Sequence, residues 1–167
     1  AGNIRLACFD VDGTLTDGRL FFDSEGRELK AFHVHDGQGL VLLRQIGIEV
    51  ALITARHSEV ARRRANELKV RAHIGVQDKL ACVSELCAEL GIGLDAVCFM
   101  GDDLPDLAAM RAVGLSVAPA NAHEFTRGAA QLRTRANAGE GAARELCDLL
   151  MAAQGSFDDP RPTGELA

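Results

Sequence analysis

Short apolar runs alternate with helix-patterned segments along most of this chain, and that alternation constrains the fold more than any other feature. Ile4–Phe9 is an apolar run halted by Asp10-Val-Asp-Gly, and Glu49–Thr54, Ala72–Gly75, Ala96–Met100 and Leu115–Ala118 are further short runs. Helical spacing fills the gaps: Gly39–Ile46 closing at Gly47, Ser58–Leu68, Gln77–Leu90 closing at Gly91, Leu104–Ala112 and Gly141–Ala153. Strands separated by helices require crossover connections, which yield a mainly parallel sheet covered on both faces. The expected class is therefore α/β with a Rossmann-like sheet. One insertion interrupts the rhythm. Leu20–Phe22 and Leu29–His33 flank Asp23-Ser-Glu-Gly26, which predicts a β-hairpin within about Gly18–His35.

Length and composition narrow the function classes. The 167 residues suit one core, predicted here as a single domain over 1–153 followed by a loose tail over 154–167 that carries Gly, Ser and two prolines. Lys plus Arg number 18 against 24 Asp plus Glu, a formal charge of −6, which argues against a general nucleic-acid binder. Trp and Tyr are absent, so stacking platforms for bases or sugars are poorly supplied. The 5 cysteines (Cys8, Cys82, Cys87, Cys98 and Cys147) are odd in number and never spaced as CxxC. They read as small buried residues in a reducing compartment rather than a disulfide or zinc framework. No apolar run approaches the ~18 residues of a membrane span and the first residues form no signal peptide, so a cytoplasmic protein is expected.

Ligands of such sheets bind beyond the carboxyl ends of the strands. There the sequence sets Asp10 and Asp12 after the first strand, Thr54 after the second and Asp102 and Asp103 after the fourth, with Lys79 opening a helix after the third. In extended backbone, residues i and i+2 point the same way, so Asp10 and Asp12 can share a site. Two carboxylates that close need compensation, and Mg²⁺ is the hard cation that commonly binds one or two carboxylates together with a substrate phosphate. Asp102 would complete the ligand set.

The ordered set Phe9-Asp-Val-Asp-Gly-Thr-Leu-Thr16, Ile53-Thr54, Lys79 and Gly101-Asp-Asp-Leu-Pro-Asp106 resembles the four motifs of the haloacid dehalogenase superfamily of phosphotransferases. The resemblance spans roughly Ile4 to Ala153. It implies that Asp10 is a nucleophile forming an aspartyl-phosphate, and that Asp12 is the acid and base, with its main-chain carbonyl also on Mg²⁺. Thr54 and Lys79 would hold the transferring phosphoryl group, Asp102 would bind the metal, and Asp103 and Asp106 would orient ligand waters and Lys79.

Thr14-Leu-Thr-Asp-Gly18, Phe32-His-Val-His-Asp-Gly-Gln-Gly39, Thr54-Ala-Arg-His-Ser58 and Gly139-Glu-Gly-Ala-Ala-Arg144-Glu look more specifically like the 3-deoxy-D-manno-octulosonate 8-phosphate phosphatases of lipopolysaccharide synthesis. That family lacks a cap domain and assembles as a homotetramer through its hairpins. The resemblance implies a phosphorylated sugar acid as substrate, bound by Asp12, Lys79, His33, Val34, His35, Asp36, Gly37, Arg56, Arg64 and Arg144. The family usually has Gly where this chain has Ala55, and Arg where it has His35. Arg62 and Arg63 adjoin Arg64 and also read as a solvated surface. Phosphatases of nine-carbon sugar acids are the neighbouring alternative, with Gly-Glu-Lys after the motif-two Thr where this chain has Ala-Arg-His. A noncatalytic relative that regulates sugar activation is a further alternative, disfavoured by the intact Asp10, Asp12, Lys79 and Asp102.

Overall fold

The computed structural model describes residues 1–156. The loose tail expected from 154 onward therefore lies mostly outside the described residues. In chain order the elements are β1 (Leu6–Phe9), β2 (Phe21–Phe22), β3 (Glu28–Leu29), α1 (Val34–Gln45), β4 (Glu49–Thr54), α2 (Glu59–Leu68), β5 (Arg71–Ile74), α3 (Lys79–Leu90), β6 (Val97–Met100), α4 (Leu107–Ala112), β7 (Leu115–Ala118), α5 (Glu124–Ala129), β8 (Leu132–Arg133) and α6 (Ala142–Ala153). Single 3₁₀ turns at Leu94–Ala96 and Leu104–Asp106 precede β6 and α4.

Six strands form one parallel sheet in the order β5-β4-β1-β6-β7-β8, and β2 pairs antiparallel with β3 in a separate hairpin. The α/β class and the hairpin insertion are as the sequence predicts. Strand order reverses at β1: the chain first builds outward through β4 and β5, then returns to β1's other edge with β6. Such a reversal opens a crevice at the carboxyl end of the central strand. Asp10 sits at that end, tied by its N–H to the Met100 carbonyl at 2.9 Å.

Both faces of β1 are buried, and its side chains alternate between two cores. Ala7 and Phe9 join the core made with α1, α2 and α6, through Leu40, Leu43, Ala65, Leu146 and Leu150. Leu6 and Cys8 join the other core with α3 and α4, through Val83, Leu86 and Met110. Fully burying one such side chain contributes roughly 1.5–3 kcal/mol. This two-sided burial explains why β1 reads as a continuous apolar run rather than an alternating one.

The structure differs from the sequence reading in three places. α1 begins at Val34, not Gly39, because Gly37 and Gly39 serve packing rather than ending the helix. A β-carbon on Gly39 would lie 3.0 Å from the Cys147 side chain on α6, and one on Gly37 would lie 3.1 Å from the Arg64 Cζ on α2. The segment expected to be helical from Leu104 starts as a 3₁₀ turn, and α5 and β8 are additional short elements. Phe125 and Leu132 are exposed there, so no burial periodicity marks them.

Candidate active site

Three strand ends and one helix start converge on a cleft of about 160 Å³ lined by Asp10, Asp12, Thr54, Ala55, Arg56, Lys79, Asp102, Asp103, Pro105 and Asp106. Asp78 caps α3 by accepting from the Ala81 N–H at 2.9 Å, which fixes Lys79 as the first helical residue. From there the Lys79 Nζ donates to Asp10 Oδ1 and to Asp106 Oδ1, each at 2.5 Å. Burial works against the ammonium charge, but Asp10 and Asp106 outweigh it and hold the Lys79 pKa above its ordinary value.

Asp106 is fully committed. Its other oxygen accepts from the Asp102 N–H at 3.0 Å and the Asp103 N–H at 3.2 Å, which pins the loop after β6. Asp103 in turn caps the following 3₁₀ turn through the Leu104 N–H at 2.7 Å. Asp102 accepts from the Thr14 hydroxyl at 3.2 Å, joining that loop to the turn after β1. Thr54 is buried, and its hydroxyl accepts from the Arg56 N–H at 3.2 Å.

Carboxylates crowd this cleft. Asp10, Asp102 and Asp106 each offer an oxygen within 4.8 Å of the others. Burial and the neighbouring Asp106 push the Asp10 pKa well above the usual carboxylate range, with Lys79 opposing. Burial and Asp106 likewise push Asp102 up to about 6. One lysine does not neutralise three acids, whereas a hard divalent cation on oxygen ligands would. The donor set fits Mg²⁺. Because both Asp106 oxygens are already engaged, Asp10 and Asp102 are the side chains with oxygens to give.

Asp12 departs from that cluster. Its Oδ1 accepts from the Lys30 ammonium, its Oδ2 lies 3.8 Å from the Arg56 Nε, and Oδ2 is buried with no hydrogen-bond partner among the described residues. Side-chain metal contact by Asp12 is thus not what the geometry offers, and its expected metal contribution was through the main-chain carbonyl. Lys30 and Glu28 were missed by the sequence reading. Both stand on the hairpin, and Glu28 accepts from Arg56 at 2.9 Å, Ser58 at 2.7 Å and Lys30 at 3.0 Å. Although burial opposes its charge, these three donors bring the Glu28 pKa down to about 2. No local pattern marks Glu28 and Lys30, because β3 is only two residues long and the partners that bury both side chains lie far along the chain.

The other predicted sugar-binding residues stand elsewhere on the chain. His33, Asp36, Gly37 and Arg64 border a small hollow with Phe32, and Val34 is exposed at the α1 start. Asp36 accepts from the Arg144 N–H at 2.8 Å, joining the starts of α1 and α6. The Arg144 side chain pairs with Asp148 at 2.7 Å, and Arg64 pairs with Glu67 at 2.8 Å and lies over the Phe32 ring. His33 and His35 meet edge to face. Of the sugar-binding set, only Asp12, Lys79 and Arg56 line the cleft. Arg62 and Arg63 pair with Glu59 on the surface.

Comparison with known proteins decides the family. The 3-deoxy-D-manno-octulosonate 8-phosphate phosphatase of Escherichia coli K12 is 43% identical over 162 residues, covering 96% of this chain and 86% of the relative. The chain belongs to the haloacid dehalogenase-like hydrolases, in the octulosonate 8-phosphate phosphatase family. Residues 73–146 match the haloacid dehalogenase-like hydrolase family directly. The Moraxella catarrhalis phosphatase of this family, solved with a magnesium ion, a phosphate ion and KDO, superposes with a TM-score of 0.92 at 44% identity, over 94% of this chain and 91% of that one. A hypothetical protein of Xanthomonas campestris superposes at 0.93 with 59% identity, over 94% and 86%. No helix among the described residues is long and apolar enough to cross a membrane.

Proposed function

We propose that this chain is a Mg²⁺-dependent phosphoric monoester hydrolase that converts 3-deoxy-D-manno-octulosonate 8-phosphate to the free sugar acid and phosphate, serving lipopolysaccharide synthesis in the cytoplasm. The observation that carries the reading is the near full-length identity of 43% to phosphatases of that substrate, together with the intact Asp10, Asp102 and Lys79 cluster.

Asp10 attacks the phosphorus, and an aspartyl-phosphate forms as the sugar alkoxide leaves, which splits one hard displacement into two easier ones. Asp12 gives the alkoxide its proton, and afterwards takes one from the water that hydrolyses the intermediate. Lys79 stands over Asp10 and meets the phosphoryl oxygens as charge spreads over them, with Thr54 on the neighbouring strand end. Asp10, Asp102 and the Asp12 carbonyl hold Mg²⁺, with Asp106 and Asp103 fixing the loop behind. Bound there, Mg²⁺ supplies the positive charge that keeps the carboxylates ionised and offsets the phosphoryl group.

The remaining substrate contacts are read as intersubunit. His33–Gly37, Arg64 and Arg144 stand away from their own cleft, so in a homotetramer they serve the sugar held by a neighbouring copy. Apolar Leu20, Phe21, Phe22 and Leu29 are all exposed on the hairpin, which suits packing against other hairpins. We read residues 1–153 as one domain with the hairpin at 18–35. The five buried free thiols support a reducing, cytoplasmic setting.

Phosphate release in Mg²⁺ from the eight-carbon substrate, set against a nine-carbon 9-phosphate sugar acid, tests the assignment. The eight-carbon substrate is expected to show at least ~10-fold higher kcat/KM, the order that a few substrate contacts supply. Preference for the nine-carbon acid would transfer the chain to the neighbouring activity. No Mg²⁺-dependent release from either would remove the phosphatase reading.

A further inference from the structure

The hairpin carries an unusual residue. Lys30 has a side chain only 1% exposed although its strand neighbour Leu29 is 57% exposed. A buried ammonium is unfavourable unless carboxylates receive it, and here two do: Asp12 at the cleft and Glu28 two residues earlier, at 3.0 Å. Glu28 is itself fastened to the rest of the site. It accepts from Ser58, the residue that caps α2, at 2.7 Å and from Arg56 at 2.9 Å. The hairpin is thereby tied to the loop after β4 through Glu28 and to the turn after β1 through Lys30.

The consequence for Asp12 is asymmetric. Oδ1 is held by Lys30, whereas Oδ2 is buried without a hydrogen-bond partner among the described residues and belongs to a side chain lining the cleft. A carboxylate otherwise turns about its terminal torsion with little restraint. Clamped at one oxygen, it presents the other in a fixed direction.

We propose that Lys30, anchored by Glu28, is a positioning residue for Asp12, so that the hairpin insertion aims the proton-transferring carboxylate of its own chain. This rests on Asp12 being the acid and base of the proposed phosphatase. It gives the hairpin two faces with different work: Glu28 and Lys30 toward the cleft, and the Phe21–Leu29 pair outward. Lys30 touches no reacting atom in this arrangement; it acts through Asp12.

The test compares single-turnover phosphorylation by 3-deoxy-D-manno-octulosonate 8-phosphate, whose alkoxide needs a proton, with that by 4-nitrophenyl phosphate, whose leaving group needs almost none. Lys30→Gln is expected to slow the sugar phosphate by ~30-fold or more, within the range lost when an acid is misplaced. The aryl phosphate should slow by less than ~3-fold and KM should stay within ~3-fold, with Lys30→Arg recovering part of the loss. Glu28→Gln, which leaves Lys30 and Asp12 in place, should act in the same direction more weakly. If Lys30→Gln does not fold, Lys30→Arg and Glu28→Gln carry the comparison. Equal losses on both substrates would reduce Lys30 to a structural clamp, a raised KM at unchanged kcat would make it a substrate contact, and unaltered rates would leave it no role; each overturns the proposal. Asp12→Asn measured alongside separates the two levels. If it fails to discriminate between the substrates, the Asp12 assignment falls; if it discriminates and Lys30→Gln does not, only the Lys30 inference falls.

Discussion

Gly13 packs so closely on Asp102 that a β-carbon at position 13 would lie 2.6 Å from the Asp102 Cγ, and its φ of +91° is one that side-chain-bearing residues rarely adopt. The turn after β1 and the loop after β6 thus meet at a glycine that leaves room for a carboxylate. Gly13→Ala should displace Asp102 and weaken Mg²⁺ binding by ~10-fold or more, the scale on which a disturbed ligand environment acts. Calorimetric titration with Mg²⁺ checks this, and wild-type affinity in a folded variant would contradict it.

Asp106 holds Lys79 with one oxygen and two loop N–H groups with the other. Asp106→Ala removes one partner of a buried ion pair and strands two amides, so it should cost about 3 kcal/mol of stability. Lys79 keeps Asp10 as a partner, which sets the figure at the lower end for such losses. Urea denaturation measures it, and a cost under about 1 kcal/mol would mean that solvent replaces these bonds.

Glu28 supplies a pH prediction. Its folded pKa, at about 2, lies below the ordinary value of 4.5. A group depressed on folding binds protons more readily when unfolded, so its stabilisation is present above the unfolded value and is lost as pH falls through the folded one. The wild type should therefore lose thermal stability more steeply than Glu28→Gln between about pH 4.5 and about pH 2. Parallel thermal scans across that window decide it, and identical slopes would show that Glu28 is not engaged as described.

The sheet and the cleft were legible in the sequence because each rests on a local pattern. β1 and β4 are short apolar runs buried on both faces, and Asp10, Thr54, Lys79 and Asp102 follow strand ends or open a helix. The start of α1 was hidden because Gly37 and Gly39, which usually punctuate helices, are here chosen for close approach to α2 and α6. Lys30 was hidden for another reason. Nothing local to a short exposed hairpin reveals that one of its lysines folds back 18 residues to meet Asp12. The placement of Arg144 is of the same kind, since the contact of its N–H with Asp36 crosses 108 positions of the chain.

Arg144 tests the intersubunit reading. Its guanidinium lies on a surface cavity of about 280 Å³ with Arg135, Glu145 and Asp148, apart from the cleft of its own chain. If it holds the sugar carboxylate of a neighbouring copy, Arg144→Ala should lower kcat/KM for the sugar phosphate by ~10-fold or more, as loss of a charged hydrogen bond does, and leave an aryl phosphate nearly unchanged. Sedimentation should show a tetramer at assay concentration. A fully active monomer would contradict the arrangement, as would equal losses on both substrates.

If Asp10 takes the phosphoryl group, that group can be trapped on the protein before water releases it. Enzyme mixed in Mg²⁺ with 3-deoxy-D-manno-octulosonate 8-phosphate labelled in its phosphate is quenched in acid within the first turnover and digested. Label is expected on the peptide carrying Asp10, released by hydroxylamine as an acyl phosphate would be, with neither label nor turnover in Asp10→Asn. Turnover by Asp10→Asn at the wild-type rate, with no label on that peptide in either protein, would contradict it.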